Sequence, residues 1–220
     1  MSLQSNLSDI HKRIEDAAIR AGRNKDDITL ICVSKTIDAE VINEAVALGE
    51  NVFGENRPQE LRDKFDKVEG ATWHLIGHLQ TNKVKYAVGK AMLIHSVDSL
   101  HLAKAIDERA AKEGIAQDIL LEVNISGEES KYGLTLAQIP NIIKEIESLK
   151  SLNFKGFMTM APLDAPEDEI RSIFKKAYAL FKEYENCGAQ ILSMGMSKDF
   201  EIAVEEGATH VRVGSAIFKR

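Results

Sequence analysis

Residues 28–36, ITLICVSKT, decide how the rest of the chain is read. From Ile28 to Val33 the stretch carries no charge and is rich in β-branched residues, which suits a short strand buried on both faces, as strands of a parallel sheet are. Alternation puts Ile31, Val33 and Lys35 on one face, with Cys32 and Ser34 on the other. The same texture recurs along the chain, at Asn51–Phe53, Thr72–Ile76, Ala91–Val97, Asp118–Ile125, Phe154–Met160, Gln190–Met194 and His210–Val213. Helical patterns separate these runs. Asp98 or Ser99 can cap a helix carrying Leu102, Ala103, Ile106 and Ala110, which stops near Gly114. Thr135 can cap one carrying Ile139, Ile142, Ile143 and Ile146, and Pro166-Glu167-Asp168 opens one carrying Ile170, Phe174, Ala177 and Phe181. Ahead of the first strand, Leu3, Leu7, Ile10, Ile14, Ala17 and Ala21 repeat at helical spacing up to Gly22. Eight strands with helices between them predict an α/β fold, a (β/α)8 TIM-type barrel with an extra N-terminal helix. On pattern alone a doubly wound open sheet is the alternative.

Composition narrows the function. The chain has 220 residues, 44% of them hydrophobic, which is enough for one substantial core, and a single domain over residues 1–220 is expected. A net charge of −6 argues against broad nucleic-acid binding, which needs a concentrated basic face. Cys32 and Cys187 lie far apart with no metal-ligand spacing, so two reduced thiols are expected rather than a disulfide or a zinc site. The N-terminus has no apolar segment of signal-peptide length, and no run approaches the roughly 20 apolar residues of a membrane helix. The chain therefore reads as cytoplasmic, with no membrane contact.

In such a barrel the chemistry sits at the C-terminal ends of the strands. If Ile31 and Val33 fill the barrel, Lys35 points into its mouth. A partly desolvated lysine there can present a neutral amine to an aldehyde and form a Schiff base; otherwise it simply leaves the strand for solvent. The seventh strand runs into Met194-Gly195-Met196-Ser197-Lys198-Asp199, and the eighth ends Val211-Arg212-Val213-Gly214-Ser215. Phosphate sites in these barrels are often built from the loops after strands seven and eight, where unpaired N–H groups attract the anion. Arg212 faces away from Val211 and Val213, either lining the mouth near a bound ring or pairing with a structural carboxylate. Asn56 can bond a ligand or cap the next helix, and His78 can contact a ligand or serve as a structural histidine. Lys131, in a loop after strand five, reads as a surface lysine, and Met158 and Met160 as core or rim packing. No Walker loop, GxSxG elbow, HExxH or GxGxxG is present.

These segments, taken in order, resemble the YggS/PROSC family of pyridoxal-phosphate-binding proteins, the pyridoxal phosphate homeostasis proteins, which are similar to the N-terminal barrel of alanine racemase. The resemblance is carried by Val33-Ser34-Lys35, Phe53-Gly54-Glu55-Asn56, the stretch from Trp73 to Gln80, and Ser126-Gly127-Glu128-Glu129-Ser130-Lys131-Tyr132-Gly133. It continues through Gly156-Phe157-Met158-Thr159-Met160, the stretch from Leu192 to Asp199, and Arg212 to Phe218. It implies Lys35 as the Schiff-base lysine, Ser197, Gly214 and Ser215 as phosphate contacts, Arg212 near the pyridine nitrogen and Asn56 near the ring. The expected cofactor-binding set is Lys35, Asn56, His78, Met196, Ser197, Arg212, Gly214 and Ser215, with no metal ligand and no separate catalytic residue. Ser215 stands where threonine is common, Pro58 follows Arg57 where another pair is expected, and Lys219-Arg220 gives a short tail.

Two functions compete under that resemblance. One is storage and delivery of pyridoxal 5′-phosphate, with cofactor-requiring apo-enzymes as partners. The other is amino-acid racemisation. A racemase of this kind draws a tyrosine base from a second domain across a dimer, for which the chain has no room, so a monomer is compatible with the first reading. Tyr132 is the one tyrosine near a predicted strand end. An arginine at the pyridine nitrogen disfavours ring protonation and weakens the electron sink that racemisation requires. Storage and delivery is the expected role.

Overall fold

In the computed structural model, residues 2–128 and 132–219 are described. Eight parallel strands, β1 (Thr29–Val33), β2 (Val52–Glu55), β3 (Thr72–Leu75), β4 (Leu93–Val97), β5 (Gln117–Glu122), β6 (Leu152–Met158), β7 (Ile191–Ser193) and β8 (His210–Val213), close into a barrel in sequence order. The closed barrel, not the open sheet, is the fold. The closing seam pairs Thr29 with His210, Leu30 with Val211, Ile31 with Arg212 and Cys32 with Val213. Helix α1 (Leu3–Arg20) precedes β1. The crossovers are α2 (Ala39–Ala47), α3 (Pro58–Phe65), α4 (Leu100–Glu113), α5 (Ile139–Ile146), α6 (Glu167–Glu183) and α7 (Phe200–Glu205), with a 3-10 helix over Thr81–Tyr86 between β3 and β4.

Helix α1 packs beside α7, on the side of the barrel where the chain leaves β8. Its Asn6 side chain, buried, donates to the carbonyl of Ile217 at 2.8 Å, and Arg13 and Arg20 pair with Glu201 and Glu205 of α7. The periodic apolar residues Leu7, Ile10 and Ile14 join the layer between sheet and helices. This layer is the main core and includes Leu30, Cys32, Phe53, Trp73, Ile94, Phe157, Val211 and Val213. A small separate cluster, Leu93, Leu120 and Met158 with Ile191 against it, fills part of the barrel interior.

The strands match their expected positions to within two or three residues. β5 stops at Glu122 rather than Ile125, because Leu134 pairs there instead, donating to the Glu122 carbonyl and accepting from the Asn124 N–H. β6 contains an irregularity: Ile119 pairs with Phe154, but the next residue, Leu120, pairs with Gly156. The extra residue, Lys155, lets both Phe154 and Phe157 face the helices, in edge-to-face contact with centroids 5.3 Å apart. Met158 then turns inward. Gly156 makes this possible with a φ of +137°, and a Cβ there would sit 2.0 Å from the carbonyl oxygen of Ile191 on β7. Among the described residues, no helix is long and apolar enough to cross a membrane.

The bulge should therefore tolerate no side chain. Gly156→Ala is expected to destabilise the fold by more than about 2 kcal/mol, combining a strained backbone with an overlap that β7 must move to relieve. Urea unfolding against the parent protein measures this, and a loss below about 0.5 kcal/mol would show that β6 adapts without the glycine.

Candidate functional site

A cavity of about 320 Å³ opens at the C-terminal ends of the strands. One side is built by the ends of β1 and β2, which bring Val33, Lys35 and Asn56 to its lining. The other is built by the two loops that follow β7 and β8, supplying Met196, Ser197, Lys198, Gly214 and Ser215. Ile76, Met160, Ala161, Leu163 and Ile170 make an apolar wall, and Arg212 lies in the lining as well. Lys35 comes beside the loop of Ser215 because β1 pairs with β8, although the two residues are far apart in sequence.

The loop after β7 is held by its own backbone. The Met196 N–H donates to Asp199 Oδ1 at 2.6 Å, and the N–H groups of Asp199 and Phe200 both donate to the Met196 carbonyl. Gly195, at φ +89°, allows this turn to close on α7, since a Cβ there would lie 2.5 Å from that of Ala203. The turn brings Ser197 against the end of β8, where its Oγ accepts from the Gly214 N–H at 3.3 Å. Gly214 itself lies close against β1, where a Cβ would meet the Val33 side chain and carbonyl at 3.0 Å. Among the described residues, the backbone N–H groups of Ser197, Lys198, Ser215 and Ala216 donate to no protein acceptor. A group of unpaired amides with a serine hydroxyl on each loop is the donor set that an anionic phosphate needs.

Beneath the cavity the barrel is polar. Arg212 is buried; its Nη1 donates to Ser193 Oγ at 2.6 Å and its Nη2 to the Thr159 carbonyl at 3.1 Å. Burial pulls its pKa down to about 10, opposed by the charges of Asp199 and Glu122, so it is a cation at neutral pH. Burial raises Glu122 to about 7, with Asp98 adding to the rise and Arg212 opposing it. The Ser193 hydroxyl also meets His95 Nδ1 at 3.0 Å, and His95 Nε2 meets His74 Nδ1 at 3.0 Å. Burial pushes both rings down, His95 well below its usual range and His74 to about 3, so both are neutral at pH 7. Arg212 spends only part of its donor capacity on Ser193 and Thr159, leaving N–H groups for an acceptor at the cavity floor.

Of the residues expected from sequence, Lys35, Asn56, Met196, Ser197, Arg212, Gly214 and Ser215 meet in this one cavity. His78 is not among its lining residues. It pairs through Nδ1 with Asp98 at 3.3 Å and stacks on Tyr132, with ring centroids 4.3 Å apart. Lys131 lies outside the described residues. Sequence reasoning missed the support of Arg212, namely Ser193, Thr159, His95 and His74. A histidine directly after the apolar run 91–94 was the available signal for His95. Among the described residues, no group of three His, Cys, Asp or Glu side chains is placed to hold a metal. The arrangement suits an aldehyde- and phosphate-bearing aromatic ring: an amine, a phosphate cradle, an apolar wall and a buried cation around one space.

Residues 5–220 match the family model of the alanine racemase N-terminal domain. The pyridoxal phosphate homeostasis protein of Aquifex aeolicus is 44% identical over 224 residues, covering 99% of this chain and 98% of that protein. The structure of PipY from Synechococcus elongatus PCC7942 with PLP bound superposes with a TM-score of 0.84 at 32% identity, over 99% of this chain and 100% of PipY. Alanine racemase from Clostridium difficile 630 shares the fold, with a TM-score of 0.75 at 17% identity, and this chain spans 56% of its length.

The buried histidines make stability depend on pH. The His74 ring has a pKa near 6.5 in the unfolded chain and about 3 in the folded protein, so below about pH 6.5 the unfolded state binds the extra proton. Stability is complete above that pH and falls as the pH drops. His74→Gln is expected to lose roughly 2 kcal/mol less than the parent between about pH 6.5 and pH 5, at 1.36 kcal/mol per pH unit. Parallel denaturant titrations at the two pH values provide the comparison, and identical losses would mean that His74 is not held neutral.

Proposed function

This chain belongs to the alanine racemase N-terminal domain family, among its pyridoxal phosphate homeostasis proteins, and on that premise we propose that it binds pyridoxal 5′-phosphate at the barrel mouth for storage and delivery. The observation that carries the reading is the convergence in one cavity of Lys35, Arg212 and the two loops with unpaired amides. When bound, the cofactor supplies an aldehyde for covalent attachment and a phosphate for anchoring. In this reading Lys35 holds the aldehyde as a Schiff base. Ser197, Gly214 and Ser215 bind the phosphate, with Met196 shaping their loop. Arg212 donates to the pyridine nitrogen, and Asn56 lies at the ring. His78, tied to Asp98 and Tyr132, borders the mouth and contributes through that cluster.

The same residues disfavour turnover. Racemisation needs acid/base groups on both faces of the reacting carbon, each within hydrogen-bond reach. Lys35 can serve one face. Tyr132 and His78 are the remaining candidates, and His78 is engaged elsewhere. A guanidinium donating to the pyridine nitrogen keeps that nitrogen unprotonated, which leaves a developing carbanion poorly stabilised. What remains is a reversible covalent hold. We read residues 1–220 as one cofactor-binding domain acting in the cytoplasm, with cofactor-requiring apo-enzymes as its recipients. A monomer suffices, because every residue assigned to the cofactor comes from one chain.

Two measurements test the reading. Mixing the cofactor-loaded protein with an apo-enzyme that needs pyridoxal 5′-phosphate should restore that enzyme's activity, while the protein alone shows negligible amino-acid racemisation. Lys35→Ala should abolish the Schiff-base absorbance. Rapid racemisation that disappears in Lys35→Ala would instead make the protein a racemase. The phosphate assignment has its own check. Ser215→Glu should weaken pyridoxal 5′-phosphate by about tenfold or more, through charge repulsion and lost bonding, and pyridoxal much less. Equal losses for both ligands would place the phosphate elsewhere.

A further inference from the structure

The motif Phe53-Gly54-Glu55-Asn56 and helix α3 carry three charged residues, Glu55, Glu60 and Lys64, to which the cofactor reading gives no role. Glu60 and Lys64 bind the backbone on either side of Lys35, and Glu55 braces them through Lys64 and the Ser34 hydroxyl. Lys35 and Thr36 are the central pair of a turn that the Ile37 N–H closes by donating to the Ser34 carbonyl at 3.0 Å. Thr36 has a φ of +61°, and it is the one non-glycine residue with positive φ among the described residues. That region suits glycine or asparagine and is strained for a β-branched residue.

The turn is clamped from both sides of Lys35. On the C-terminal side, Glu60 Oε2 accepts from the Thr36 N–H at 2.9 Å. On the N-terminal side, Lys64 Nζ donates to the Ser34 carbonyl at 2.8 Å. The same ammonium donates to Glu55 Oε1 at 2.7 Å and to Glu60 Oε2 at 3.4 Å, so its three donors are all engaged. Ser34 Oγ donates to Glu55 Oε1 at 2.7 Å. Glu55 is fully buried on β2 and Lys64 nearly so, while Glu60 and Lys64 lie one turn apart on α3. A buried ammonium and carboxylate are costly to desolvate, and a surface helix does not need them to dock on a sheet. Here they fix the two peptide units that flank one lysine.

We propose that Glu60 and Lys64, supported by Glu55, are positioning residues for Lys35, holding the strained turn that aims its amine into the cavity. Without the clamp, Thr36 relaxes to negative φ, the 35–36 peptide rotates, and Lys35 swings from the line of attack. The inference rests on the assignment of Lys35 as the attachment lysine. It predicts a defect specific to covalent attachment, and one that glycine at position 36 repairs, because glycine takes φ +61° without support.

The test compares two ligands on the purified full chain. Pyridoxal 5′-phosphate carries the aldehyde, and pyridoxine 5′-phosphate carries an alcohol in its place and binds without attachment. Glu60→Ala should weaken the aldehyde ligand about tenfold and the alcohol by less than about twofold. Adding Thr36→Gly to Glu60→Ala should bring the aldehyde ligand back to within about threefold of the parent. Glu60→Gln, which keeps an oxygen acceptor for the Thr36 N–H, should show a smaller loss confined to the aldehyde ligand, and it stands in if Glu60→Ala does not fold. Equal losses for both ligands, no loss, or no rescue by Thr36→Gly would overturn the inference while leaving the cofactor reading intact. A parent protein that binds neither ligand would overturn both.

Discussion

The seam between β1 and β8 is the contact on which the site depends. A parallel sheet of eight strands could remain open, and Lys35 would then stand at one edge with Arg212, Gly214 and Ser215 at the other. Closure pairs Ile31 with Arg212 and Cys32 with Val213, which brings the residues just beyond them around one mouth. The close approach of Gly214 to Val33 belongs to the same seam. Helix α1 supports it from outside, through Asn6 on the Ile217 carbonyl and the ion pairs to α7. The N-terminal helix therefore bears on the loop after β7, from which Ser197 reaches Gly214.

Closure also creates an interior that must be filled. Apolar side chains occupy part of it, and a buried cation occupies another part. An isolated guanidinium in such a place is unfavourable unless its donors are met and its charge is balanced. Ser193 and the Thr159 carbonyl take two donors, and Asp199 and Glu122 oppose the charge. The histidines below remain neutral because burial disfavours the imidazolium, and a nearby arginine disfavours it further for His95. A hydrogen-bonded chain from His74 through His95 and Ser193 to Arg212 is thereby fixed with a single charge at the cavity end. The barrel thus offers a charged donor at the cavity floor whose balance comes from the carboxylates of Asp199 and Glu122 and not from the histidines.

The fold is shared with alanine racemases at 17% identity, and the same scaffold therefore serves a different balance of residues. In this chain, strand geometry alone brings Lys35 and the two loops with unpaired amides around one cavity. Turnover needs more, namely a second acid/base group held against the opposite face of the substrate. In this chain the polar groups on the β3–β5 side of the mouth, His78, Asp98 and Tyr132, are engaged with one another.

The fold was legible because strand and helix are local. Val- and Ile-rich runs alternating with 3.6-residue periodicity identified all eight strands, and the alternation of Ile31, Val33 and Lys35 aimed the lysine inward. That Ser197, Gly214 and Ser215 line the same cavity as Lys35 was legible from their places after strands seven and eight. What the sequence could not express was pairing between distant residues. Whether Arg212 faces a ligand or a structural carboxylate depends on Ser193 and Thr159, which only closure brings to it. The partners of His78, Asp98 and Tyr132, are likewise distant in sequence and meet it only in the fold. The bulge at Lys155 was hidden because one extra residue leaves composition and periodicity almost unchanged. The strain at Thr36 was hidden more deeply, since a threonine after a strand carries no mark of a left-handed φ. The bonds that hold it come from Glu60 and Lys64 on helix α3, and local propensity cannot report a contact that arrives from elsewhere in the fold.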